Sequence, residues 1–240
     1  MKIGCVWEHN GSDSLLYCDT YPGAYTRGES REAALFKMEG EVRAFLRWAE
    51  QPSDGPLELE IVQEKAGELD IRDADSDVLF DSERQPLTRE EYHRLKALAL
   101  QSAADFLALY ESVPDKNKTC LPPRRTFYGD VPRTAEEMYR HTKSVNSYYF
   151  GEIDVDADNE GTILECRVRG FEALEAVPDF LTKPACEGSY GEEWSVRKVL
   201  RRFIWHDRIH ARALYRMGLQ TFGKEGISDR FRFTEKEERA

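Results

Sequence analysis

The stretch from Glu192 to Met217 places apolar side chains at Val196, Val199, Leu200, Phe203, Ile204, Ile209, Ala213, Leu214 and Met217. That spacing is the period of a helix with one buried stripe. Such a stripe requires other elements to cover it, and three further segments carry the same period. Thr88-Arg89-Glu90-Glu91 is a capping-box pattern. It opens a helix through Tyr92, Leu95, Leu98, Ala99, Phe106, Leu109 and Tyr110 that Pro114 ends. Pro132–Thr134 begins a second, through Met138, His141, Val145, Tyr148 and Tyr149. A third runs from about Glu160 to Leu181, with Leu164, Val168, Phe171, Leu174 and Val177 on one stripe and weak points at Gly170 and Pro178. Four long helices with connections of moderate length predict an up-and-down bundle over residues 88–218. The charged tail, 219–240, carries Arg230-Phe231-Arg232-Phe233, either a short strand or loose.

The first part of the chain has a shorter period. Lys2–Trp7 and Leu15–Asp19 read as strands about the turn Asn10-Gly11-Ser12-Asp13, and Ala24–Arg27 as a third strand after the turn Tyr21-Pro22-Gly23. Ser30 is a helix N-cap, followed by Ala34, Leu35, Met38, Val42, Phe45, Leu46 and Ala49 at helical spacing, with a stop before Pro52 and Gly55. Leu57–Val62 alternates as a half-buried strand does. The predicted class is α+β: a small sheet-and-helix domain over 1–68, an acidic linker over 69–87 with Val78-Leu79-Phe80 as an anchor, and then the bundle.

Charge narrows the partners. With 34 basic and 45 acidic residues the net charge is -11, which argues against binding to nucleic-acid backbones. The basic pairs Arg197-Lys198 and Arg201-Arg202 read as a solvated helix face. No apolar run approaches the roughly 18 residues of a membrane span, and Met1–Cys5 leads into strand-like sequence without a signal-peptide core. The five cysteines form no C-x-x-C pair. Neither a disulfide framework nor a Cys-rich zinc site is expected, which fits a reduced cytoplasm.

Histidine is scarce, and its placement carries the chemistry. Of His9, His93, His141, His206 and His210, the last three fall on predicted bundle helices at positions expected to face inward. His206 and His210, four apart, project from one helix face and suit two imidazoles binding one cation. Burying three imidazoles needs partners for their nitrogens, and one divalent metal supplies them while keeping a position open. The alternative is a set of ordinary core or surface histidines. His206-Asp207-Arg208-Ile209-His210 also invites comparison with H-E-x-x-H. Asp207 is one methylene shorter than the glutamate there, which counts against that reading. His93 reads as solvated, and His9 as part of a turn.

Trp194–Leu200 with Trp205–His210, together with Met138-Tyr139-Arg140-His141, resembles the DinB-like metal-binding bundle family over roughly residues 88–217. The resemblance implies that His141, His206 and His210 bind zinc or nickel. Through the related mycothiol- and bacillithiol-dependent enzymes, it also implies a metal-activated low-molecular-weight thiol. A metal-dependent thiol transferase or hydrolase acting on a small molecule is therefore expected. Tyr148, Tyr149 and Glu152 are candidates to line the pocket, and Asp207 and Glu137 to orient a ligand histidine. Residues Tyr21–Ser30 and the helix after them resemble HicB-like antitoxin domains over about 1–65, which implies an interaction module or a homodimer contact. A non-catalytic stress-response or regulatory protein with a structural metal is the competing expectation.

Overall fold

The computed structural model describes residues 1–52 and 55–234. It is a mixed α+β chain with a four-stranded sheet and five α-helices among the described residues. Two compact units divide it: residues 1–93 with 179–205, and residues 94–178 with 206–240. Among the described residues no helix is long and apolar enough to cross a membrane.

The first unit is built on strands β1 (Lys2–His9), β2 (Ser14–Cys18), β3 (Tyr25–Gly28) and β4 (Glu58–Ala66), in the order β3-β2-β1-β4. β1 pairs antiparallel with β2 and parallel with β4, and its register to β4 shifts between Cys5 and Val6. Helix α1 (Arg31–Trp48) lies against β2 and β3. Ser30 caps it as expected, its hydroxyl accepting from the Ala33 N–H at 3.2 Å. Gly23 sits at φ +105°, and a Cβ there would meet Ile204 at 2.3 Å, so both conformation and space demand glycine. All five residues of β2 are buried, as a strand covered on both faces requires.

The acidic segment 69–87, expected to be a linker, belongs to this unit. Ile71, Val78, Leu79 and Phe80 are buried. Glu8 Oε1 accepts from the N–H groups of Asp77 and Val78, and the Tyr17 hydroxyl donates to Ser76 at 2.7 Å. Neither basic pair is a solvated face. Lys198 and Arg201 are buried and Arg202 is half-buried. The Arg201 guanidinium pairs with both carboxylate oxygens of Glu83 and donates to the Val78 carbonyl at 2.9 Å. It also lies 3.9 Å from the Phe80 ring centroid. Lys198 donates to the carbonyls of Asp77 and Glu193. Glu83 of the supposed linker thus neutralises Arg201, a cation that a one-stripe reading places in water.

Helices α2 (Arg89–Ser112) and α5 (Val196–Phe222) contribute residues to both units, whereas α3 (Ala135–Gly151) and α4 (Ile163–Glu175) lie in the second. The Thr88–Glu91 capping box at the start of α2 forms as expected. Glu91 accepts from the Thr88 N–H at 2.9 Å and from Arg197 at 2.9 Å. These contacts, the Thr88 N–H foremost, pull the Glu91 carboxyl down to about 2. Its folded pKa lies below the unfolded value of about 4.3. The stabilisation is therefore complete above that value and is lost as pH falls toward 2. An NMR titration is expected to place the Glu91 midpoint near 2 in the native chain, with Thr88→Ala moving it up.

α4 is shorter than expected. Thr162 and Glu165 form a capping box at its start, and it ends at Glu175, ahead of Pro178. Its buried face is Ile163, Cys166, Arg167, Gly170, Phe171 and Leu174, with Leu164 and Val168 only half-buried. Gly170 is explained by packing, since a Cβ there would meet the Phe150 ring at 2.1 Å. α5 starts later than expected, because Glu193–Trp194 pairs as a short strand with Cys186–Glu187. In the tail, Arg230–Phe233 forms no strand. Phe231 is buried and stacks 5.4 Å from Phe233. Residues 235–240 of that tail lie outside the described residues.

Candidate metal centre

Two helices of the second unit carry the three histidines. Thr134 caps α3, its hydroxyl accepting from the Glu137 N–H at 3.1 Å. The Glu137 carboxylate accepts in return from the N–H groups of Arg133 and Thr134, at 2.9 and 3.1 Å. Those bonds, the one from Arg133 first, hold its carboxyl below the usual range. Glu137 is thus engaged at the helix start rather than orienting a histidine.

His141 follows one turn later. Its ring centroid lies 5.2 Å from that of His206 and 4.6 Å from that of His210, and the latter two are 4.4 Å apart. The Nε2 atoms of His206 and His210 approach to 3.1 Å. One ligand atom from each of the three lies within 4.8 Å of the others. Two imidazole nitrogens on one tetrahedral ion stand roughly 3.4 Å apart at bond lengths near 2.05 Å. The α5 pair is close to that spacing, and His141 offers a ligand atom within 4.8 Å of both. Among the described residues this is the one group of His, Cys, Asp and Glu side chains close enough to share an ion.

The surroundings favour neutral, lone-pair-bearing rings. Burial lowers the His141 pKa. Burial first, and then the nearness of His141, pushes that of His210 down to about 3. His206 is 7% exposed, while His141 and His210 are half-buried. The histidines therefore sit at the edge of the buried face, not deep within it as the apolar stripe suggests. The core face of α3 is Ala135, Met138, Tyr139, Thr142, Asn146, Tyr149 and Phe150. On α5, Ile209 is half-buried and Ala213 exposed.

The other candidates separate. Tyr149 is buried, its ring nearly perpendicular to that of His206 at 6.0 Å. Tyr148 is 36% exposed and beside Tyr149. Glu152 is the buried C-cap of α3 and stands outside the histidine group. Asp207 is fully buried, with its carboxylate turned to other partners. Arg167 reaches Oδ2 and Oδ1 at 3.2 and 3.3 Å, and the Ser102 hydroxyl donates to Oδ2 at 2.6 Å. That occupation removes it as the counterpart of a protease glutamate. His93 is exposed on α2. His9 ends β1 rather than lying in a turn, stacked 3.9 Å from Trp7 and 3.1 Å from Glu64.

The network around Asp207 also takes in Asn146, whose Oδ1 accepts from Arg167 Nε at 3.2 Å. Sequence reasoning missed Arg167, Ser102 and Asn146. A usable signal existed: Arg167 and Asp207 are opposite charges, each set among apolar residues of its own helix. No protein-family model, curated protein or solved structure matches the chain.

Proposed function

We propose that His141, His206 and His210 hold one divalent cation, zinc or alternatively nickel, in a DinB-like four-helix bundle formed by α2 to α5. On this reading the chain is a metal-dependent enzyme acting on a small molecule through an activated low-molecular-weight thiol or water. The observation that carries the reading is the convergence of three imidazoles from two helices, with neutral rings favoured at two of them. A bound divalent cation supplies Lewis acidity, which lowers the pKa of a thiol or water and makes it nucleophilic near neutral pH.

The partial exposure of His141 and His210 supports a catalytic over a structural role. The packing of the second unit supports the same reading. Arg167, Asp207, Ser102 and Asn146 join residues of α2, α3, α4 and α5 without help from the histidines. Tyr149 packs edge-on against the His206 ring. The HicB-like resemblance of the first unit supports an interaction or dimerisation role for the sheet.

The test is a panel of thiols with electrophilic acceptors, run with metal-loaded and metal-free protein. Turnover that requires metal and disappears in His210→Ala is expected. Absence of metal-dependent turnover with any thiol, or with water as nucleophile, leaves only a structural or regulatory metal.

A further inference from the structure

A second feature of the α3 region lies outside the histidine trio. A cavity of about 600 Å³ is lined by Arg124, Arg125, Arg133 and Arg140, with Asp130 and Glu137 as its acidic residues. In a chain of net charge -11, four guanidiniums against two carboxylates is a local inversion of sign. Arg140 is paired with Glu136, one turn before it on its own helix, and the two lining carboxylates offset only part of the remaining charge. Glu137 is held by the backbone N–H groups of Arg133 and Thr134. Asp130 stands 3.7 Å from Arg125, and both side chains are largely in water, where such contacts are weak.

All four cations are arginines, whose planar forks match carboxylate and phosphate oxygens two at a time. Pro123, Val131 and Pro132 supply apolar wall between them. The volume falls within the range of small-molecule sites. We propose that this cavity binds a small organic dianion, a phosphate monoester or a dicarboxylate, with its charged end on the arginines and its apolar body against the prolines. The site does not depend on the metal reading. Its α3 wall, Glu137 and Arg140, nevertheless immediately precedes His141, with Glu137 one turn away on the same helix face.

The experiment is calorimetric titration of the full chain with phenyl phosphate and, separately, with succinate at low salt. Amide NMR shifts would be followed in parallel. Saturable binding of one or both anions is expected, with shifts concentrated in residues 123–140. The Arg125→Ala/Arg140→Ala variant should lower affinity at least tenfold. Those side chains are 81% and 76% exposed, so the fold should tolerate their loss. Which anion binds tells phosphate from carboxylate recognition. Three results would overturn the proposal: no binding of either at millimolar concentration, unchanged affinity in the double variant, or binding of a single-stranded oligonucleotide but of neither small anion.

Discussion

Arg167→Ala is expected to destabilise the protein by about 3–5 kcal/mol. The replacement leaves the Asp207 carboxylate fully buried with the Ser102 hydroxyl but without its counter-charge. Burial already raises the Asp207 pKa in the native chain, against the pull of Arg167. Without the guanidinium that rise grows. A raised folded pKa means that the folded state binds the proton more tightly than the unfolded one. The deficit of the variant is therefore largest at neutral pH and shrinks on acidification, as Asp207 becomes neutral. Arg167→Ala/Asp207→Ala should cost less than the sum of the single replacements, because the pair acts as a unit. Urea denaturation of the four proteins at pH 7 and pH 5 checks the magnitude, the pH trend and the coupling together.

The second large effect concerns metal affinity. His206→Ala is expected to weaken binding of a divalent ion by about 10²–10³-fold. A zinc site worth roughly 10–16 kcal/mol divides among about four ligands, so each accounts for about 2.5–4 kcal/mol. The variant should keep its helical content, because the Arg167–Asp207 network remains. Competition against a chelator of known affinity, with far-UV circular dichroism on the same samples, measures both quantities. If metal and fold are lost together, the metal is structural and the catalytic proposal falls.

The elements of the first unit were readable because local chemistry and tertiary context agree there. Ser30 before an apolar period, the Pro22-Gly23 turn and alternation near residues 57–62 each carry their own physical cause. Thr88-x-x-Glu91 worked for the same reason. The failures arise where a helix is covered on more than one side. Reading one stripe on α5 puts Lys198, Arg201 and Asp207 in water, yet they are buried; Glu192 just ahead of the helix meets Lys198, and Glu83 and Arg167 meet the other two from distant parts of the sequence. Pairing of that kind has no local signature.

Segment 69–87 illustrates the converse. Its acidity looks like solvation, but part of it neutralises buried arginine. The histidines were conspicuous by scarcity and by four-residue spacing, and spacing alone brought His206 and His210 to one face. Their placement at the rim of the core was not legible, because it depends on where α3 sets its buried face, one that passes through Thr142 and Asn146 rather than Val145.

One ion shared by three imidazoles underlies the proposed chemistry. The 240-residue chain purified without a nickel column, equilibrated with zinc and dialysed, should retain one equivalent of metal per chain by elemental mass spectrometry. The variant lacking His141, His206 and His210 together should retain none while remaining folded. Wild-type protein that keeps no metal, or a triple variant that keeps the full equivalent, would contradict the claim.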